Sequence, residues 1–246
     1  MDVGAGPGTS MWAALSIWPE IAEVDLIERD DRMLELGKKL ALRSPHRAIR
    51  NAKWIKADAA SGWLPDITYD LVIMAYVLGE LQGERNAVVE RLWRSTGGML
   101  VIVEPGTPAA FGRLRQVRDE LIVQGAKTVA PCPHNAACPM NEDDWCHFSE
   151  RVSRSRIHRQ LKSGELGYED EKFSFIAVAR SPALIEQLRA SKAASGRILR
   201  HPQFRHGHVK FQVCTPDGIR QAVVTRKNKE LYRKARDAKW GALLPG

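Results

Sequence analysis

Asp2-Val3-Gly4-Ala5-Gly6-Pro7-Gly8-Thr9, at the front of the chain, reads as the end of a β-strand turning into a glycine-rich loop, with a helix following from about Ser10 to Trp18. Glycines at alternate positions permit a tight turn and let a ligand come close to the backbone. Asp2 directly precedes the loop, and a second acid, Glu28, lies 20 residues after Gly8. There it closes the next strand, where an acid can hydrogen-bond a ribose diol. The spacing is G-x-G-x-G, not the dinucleotide G-x-G-x-x-G, and the lysine-serine pair of a P-loop is absent. Asp2, Gly4, Gly6, Gly8, Glu28 and Asp58, the last at the end of a third strand, are therefore the candidate cofactor-binding residues. Three acids without a phosphate-binding lysine suit a cationic, phosphate-free nucleoside.

Working outward, Glu23 to Glu28 and Trp54 to Asp58 read as short strands, with helical periodicity from Asp31 to Leu42 between them. Asp70 to Val77 is nearly continuous in apolar residues, as a strand buried on both faces requires. A helix over 84 to 95 leads to a fifth strand, Met99 to Glu104, and a second helix spans about Ala109 to Val123. The alternation of strand and helix predicts an α/β fold built on a parallel, doubly wound sheet. Its central strand has almost nothing before it, so the spacing predicts an N-terminally truncated unit.

Further on, Ser149 to Lys162 reads as a basic helix, Phe173 to Ala179 as a sixth strand, and 182 to 193 as another helix. Val209 to Thr215 and Ile219 to Thr225 form a hairpin around Pro216-Asp217-Gly218. The expected units are a nucleotide-binding core over 1–125, a cysteine-rich loop over 126–148, the basic helix with a remaining core strand over 149–193, and a basic C-terminal hairpin and tail over 194–246.

Hydrophobic content of 44% and charged content of 27% are those of a globular protein. No apolar run reaches the ~20 residues of a membrane helix, and no signal segment opens the chain. The expectation is a monomer without a membrane partner, in the bacterial cytoplasm, or in the mitochondrial matrix if the source is eukaryotic. A reducing compartment favours metal ligation over disulfides for the four cysteines, Cys132, Cys138, Cys146 and Cys214. Four thiolates suit a 4Fe-4S cluster or a structural zinc ion, and the spacing alone leaves both open.

The net charge of +8 conceals a division. Residues 1 to 150 hold 16 Lys and Arg against 21 Asp and Glu, whereas residues 151 to 246 hold 21 against 8, a net +13. Such an excess points to a polyanionic partner, since cations that neutralise phosphates release counterions. The candidate RNA-binding residues are Arg151, Arg154, Arg156, Arg159, Lys162, Arg197, Arg200, Arg205 and Lys210. Phe204, His206, His208 and Tyr232 are interleaved among the downstream cations.

The glycine loop resembles the first motif of class I methyltransferases, in which Asp58 matches the acid placed near the adenine amino group and the cofactor is S-adenosylmethionine. The acceptor-directing motif that amino-directed nucleic-acid methyltransferases carry after the fourth strand is absent. Ala75-Tyr76-Val77-Leu78-Gly79-Glu80 stands there, and no cysteine nucleophile precedes position 132.

A wider set of segments resembles the methyltransferase-like small-ribosomal-subunit assembly proteins of bacteria and mitochondria. These segments are the loop at 2 to 9, Tyr-Val-Leu-Gly-Glu-Leu at 76 to 81, Val-Glu-Pro-Gly-Thr-Pro at 103 to 108, Cys-Pro-His at 132 to 134, Cys-Pro at 138 to 139, Trp-Cys-His-Phe at 145 to 148, and Gly-Tyr-Glu-Asp-Glu-Lys-Phe-Ser at 167 to 174. The resemblance implies a class I methyltransferase core, a 4Fe-4S cluster on Cys132, Cys138, Cys146 and Cys214, and binding to small-subunit rRNA among ribosomal proteins. It implies an assembly and translation factor; the alternatives are an active S-adenosylmethionine-dependent rRNA methyltransferase and a zinc-stabilised small-molecule methyltransferase.

Overall fold

The computed structural model describes residues 1–61, 65–81, 83–161, 166–191 and 196–245. The first half runs β1 (Asp2–Val3), α1 (Thr9–Ile17), β2 (Asp25–Glu28), α2 (Asp31–Ala41), α3 (Arg47–Arg50), β3 (Lys53–Lys56), β4 (Tyr69–Ala75), α4 (Arg85–Arg94), β5 (Thr96–Pro105) and α5 (Pro108–Val123). There follow β6 (Lys127–Ala130), β7 (Phe148–Ser153), α6 (Arg156–Leu161), β8 (Tyr168–Ala179), α7 (Pro182–Ser191), β9 (Arg197–Ile198), β10 (Gln203–Arg205), β11 (His208–Thr215), β12 (Gly218–Thr225) and α8 (Lys229–Asp237).

The main sheet has the order β3-β2-β1-β4-β5-β8-β6, with β7 paired to β8. Although only two residues long, β1 is central, pairing in parallel with β2 and β4 through Asp2 opposite Leu26 and Ile73. Alternation along the strands divides the apolar side chains between two faces. Val3, Val72, Met74, Leu100 and Ile102 pack with Leu92 of α4 and Leu114 of α5. Leu26 and Ile73 pack with Met11 and Leu15 of α1 and with Ile49 of α3. Local chemistry sets the helix starts: the Asp30 carboxylate accepts from the amides of Arg32 (2.8 Å) and Met33 (3.1 Å), and the Thr107 hydroxyl accepts from Ala110 (3.2 Å) with Pro108 in the first turn.

Three expectations are corrected. The sheet is not wholly parallel: β8 runs antiparallel to both β5 and β6. The segment expected as a cysteine-rich loop begins as β6 inside that sheet. The basic helix expected over 149 to 162 is a strand to Ser153, with a short helix only from Arg156 to Leu161. The strand wins because Arg151 and Val152 lie opposite Asp170 and Glu169 on β8. Arg151 donates twice to Asp170, at 2.7 and 2.9 Å, and opposite charges directly across a ladder stabilise it.

A second, four-stranded sheet has the order β10-β11-β12, with β9 on β11. Ile198, Val209, Phe211, Val213 and Val224 form its core against Ala235 of α8. Where it meets the main unit, Met140, Leu199 and Cys214 are buried together, with Phe111 of α5 packed on them.

Candidate functional site

At the carboxyl ends of β1, β2 and β4 lies a cavity of about 360 Å³ lined by Gly4, Gly6, Glu28, Asp58, Tyr76 and Glu80 among others. In doubly wound sheets this crevice is where ligands bind. A Cβ at Gly4 would stand 2.2 Å from Val77 Cγ2, so the loop can lie this close to the turn after β4 only without a side chain. Gly6, at φ +53°, meets nothing within 4 Å in the direction of a side chain, leaving room for a ligand against the backbone. Glu28 is held from two sides: Oε2 accepts from the Gly6 amide and Oε1 from the Asp30 amide, both at 2.7 Å. Asp58 accepts from the Ala60 amide at 2.9 Å. Arg29 reaches over the mouth, 3.7 Å from Asp58 and 3.0 Å from Glu80.

Gly4, Gly6, Glu28 and Asp58 therefore converge, while two expected residues shape the pocket from behind. Gly8 caps α1 against Trp54 and Trp12. Asp2 is fully buried, near the Met11 amide but with neither carboxylate oxygen satisfied, and burial pushes its pKa up to about 7. The sequence reading left out Tyr76 as a pocket residue. Its φ of +62° is unusual for a non-glycine residue, and it stands 52% exposed at the end of β4. No residue-type signal marks that conformation. Glu104, closing β5, is buried beneath the same turn: its Oε1 accepts from the Leu78 amide at 2.8 Å, and Arg113 of α5 stands 3.8 Å from Oε2. Burial raises its pKa, and it holds the turn that carries Tyr76.

All four cysteines line a second cavity, of about 40 Å³, bounded by α5, β8 and the end of β11. One water needs about 10–15 Å³, so the space exceeds a single water site. Burial pushes the thiols of Cys132 and Cys146 up, and that of Cys214 up to about 12; proximity of the other thiols adds to each shift. Ionised together, these sulfurs need compensating positive charge. Buried Arg118, close to Cys132, supplies some of it.

Arg118 also donates to the carbonyls of His134 (3.1 Å) and Ala136 (2.7 Å), while Arg115 donates to those of Met140 and Cys138, each at 3.1 Å. Two guanidinium groups on α5 thus clamp four carbonyls of the cysteine segment, Arg115 through both terminal nitrogens and Arg118 through one. Cys214 Sγ lies 3.5 Å from His134 Nε2. Among the described residues no three His, Cys, Asp or Glu side chains converge tightly enough to chelate one metal ion, even though four sulfurs share one cavity. The two observations agree if the sulfurs stand around a space and do not meet at a point. Four soft donors with adjacent cations fit an anionic thiolate-bound group.

The candidate RNA-binding residues divide. Arg197 donates to the carbonyls of Pro131 (2.9 Å) and Gly241 (2.7 Å), so its charge serves the junction between the two sheets. Arg200 pairs with Asp144 and Arg154 with Glu169. Arg151 is exposed but bound to Asp170. Arg156, Arg159, Arg205 and Lys210 are exposed, and Lys162 lies outside the described residues. Residues 196–245 hold 12 Lys and Arg against 3 acids, and every one of the cations except Arg197 and Arg200 is exposed. Among them are Arg220, Arg226, Lys227 and Lys229.

A glycine loop, a strand-end glutamate and a following aspartate around one crevice, on a sheet of this order with one antiparallel strand near its edge, define a class I S-adenosylmethionine-dependent methyltransferase fold. The chain belongs to the family described as mitochondrial small ribosomal subunit Rsm22, whose family model matches residues 1–245. It is 33% identical over 261 residues to the human mitochondrial ribosome assembly protein METTL17, covering 100% of this chain and 55% of that protein. It is 25% identical over 290 residues to the mitochondrial Rsm22-cox11 tandem protein 2 of Schizosaccharomyces pombe, covering 100% of this chain and 38% of that one. The chain thus spans about half, or less, of the length of these relatives. Among solved structures, a putative methyltransferase from Thermoplasma acidophilum is similar at a TM-score of 0.48 and 13% identity, covering 74% of this chain and 68% of that one.

Proposed function

We propose that this protein is an RNA-binding assembly factor of the small ribosomal subunit, in which a methyltransferase-like core binds S-adenosylmethionine and a structural 4Fe-4S cluster fastens a basic module to that core. One observation carries the reading: cysteines from 132–146 and from the far end of β11 line a single cavity at the junction of the two sheets. A group bound there joins the cation-rich 196–245 segment to the nucleotide-binding sheet. Four thiolates suit a cluster or zinc alike, and the likeness of the cysteine segments to the assembly-protein family favours the cluster. The family and the names of the relatives support the ribosomal setting, with small-subunit rRNA and ribosomal proteins as partners. The place of action is then the mitochondrial matrix or the bacterial cytoplasm. Among the described residues no helix is long and apolar enough to cross a membrane.

The chain's own residues suit cofactor holding better than turnover. Glu28 is braced by two amides where a ribose would lie, Asp58 faces the same cavity, and the open space before Gly6 admits a ligand. S-adenosylmethionine would supply an electrophilic methyl group. All four cysteines are committed to the other cavity, however, so no thiol stands at this pocket to attack a base. The test is to purify the protein anaerobically, measure iron and acid-labile sulfide, and follow its co-sedimentation with small-subunit precursors. In cells lacking the gene, stalled subunits with intact rRNA methyl marks fit the assembly reading. A single lost mark would instead establish a working methyltransferase.

A further inference from the structure

Among the Phe, Tyr and Trp side chains of 196–245, Phe204 alone stands mostly in solvent, at 56% exposure, while Phe211 is fully buried beneath α8. The Phe204 ring is thus free to meet a partner, in a segment whose other large rings are buried or half-buried. It lies on the edge strand β10, opposite Val209, just before a turn through His206 and Gly207. Arg205 pairs across the ladder with His208, and Gln203 with Lys210. From β12 side, the Arg226 amide donates to the Gly207 carbonyl at 3.0 Å, and its guanidinium lies 5.7 Å from the Tyr232 ring centre. Alternation puts Phe204 and Val209 on one face of this edge ladder and Arg205 and Lys210 on the other, with exposed Arg226 and Lys227 following the end of β12.

We propose that the β10–β11 hairpin is a stacking platform for an unpaired RNA base, with Phe204 as the surface on which the base lies. This rests on the RNA-binding reading above and specifies the form of RNA taken. Bases inside a duplex already stack on one another and offer no face, whereas an unpaired base gains a partner in the ring. The phenyl group has no donor or acceptor, so it selects for being unpaired and not for sequence. The cations on the other face of this edge strand and after β12 neutralise phosphates of an RNA strand that crosses the edge.

The test measures fluorescence anisotropy of the full chain with a labelled oligouridylate of about 12 nucleotides and with an RNA duplex of similar length, across a salt series. Phe204→Ala is expected to weaken oligouridylate binding by about 10-fold or more, leave duplex binding within about 2-fold, and keep the salt slope unchanged. Phe204→Trp is expected to restore the unpaired RNA. Arg205→Ala with Lys210→Ala is expected to weaken both RNAs and flatten the slope by about 2. A Phe204→Ala protein that binds oligouridylate like wild type, or weakens equally on both RNAs, overturns the platform while leaving RNA binding standing. Wild-type protein that binds neither RNA overturns both readings.

Discussion

Replacing Arg118 with alanine tests whether α5 organises the cysteine cavity. The side chain is 2% exposed, and its guanidinium satisfies the carbonyls of His134 and Ala136. Truncation leaves two acceptors short of a partner, at about 1–3 kcal/mol for each that stays buried. The 2.5 Å pair with Asp119 adds little, because the Asp119 side chain is 51% exposed. A net loss of about 3 kcal/mol is expected, which for a chain of this length lowers the melting temperature by roughly 6–12 °C. Removing the cation beside Cys132 also disfavours the thiolate, so iron content should fall together with stability. Calorimetry on anaerobically purified protein, with iron and sulfide analysis on the same samples, reads both effects. Arg118→Lys keeps the charge but loses the planar guanidinium packed in the buried site, and should fall between wild type and alanine. An alanine variant that melts within about 1 °C of wild type and keeps its full iron would refute the clamp.

Cys138→Ser should yield soluble protein that lacks iron and the visible absorption near about 400 nm, or that is unstable; retention of both would remove Cys138 from the ligand set. Gly6→Ala fills the open space before the loop at a strain of about 1–2 kcal/mol, so titration calorimetry should show cofactor affinity falling far more than stability. Asp2 titrates near 7 when folded but at the ordinary value of 3.8 when unfolded. The folded state therefore prefers the protonated acid, and stability falls as pH rises from about 4 to 7. Asp2→Asn should accordingly melt higher than wild type above pH 7 and show little gain near pH 4, a contrast that pH-dependent thermal scans resolve. Gly37→Ala would put a Cβ 2.1 Å from the Trp54 ring, and should cost about 1–3 kcal/mol by overpacking in chemical denaturation.

The crevice at the ends of β1, β2 and β4 was legible because its determinants are local. Gly4, Gly6 and Glu28 lie within one strand-loop-helix-strand unit, where spacing nearly dictates position. The gathering of Cys132 and Cys146 with Cys214 around one cavity was legible from residue type, since clustered thiols outside apolar runs suit a shared ligand set. The stretch 149 to 153 was misread because its partners, Glu169 to Glu171, lie across the ladder and not within the helical turn that the local arginine spacing suggests. Arg197 and Arg200 looked identical in sequence to Arg205 and Lys210. Only the backbone carbonyls of Pro131 and Gly241 and the carboxylate of Asp144 distinguish inward from outward charge. The positive φ of Tyr76 follows from the turn pinned by Glu104, which no pattern of residue types announces.

The cysteine cavity has its walls at both ends of the chain's second half, and 68 positions separate Cys146 from Cys214. During synthesis the first three thiols emerge long before the last, and the loop between them must close before the set is complete. Closure of the cavity is thereby deferred until the strand that carries Cys214 has been made. The cation-rich tail takes up its fixed orientation at that same late moment, so an immature chain presents its acidic front half to the surroundings well before its basic end is aimed.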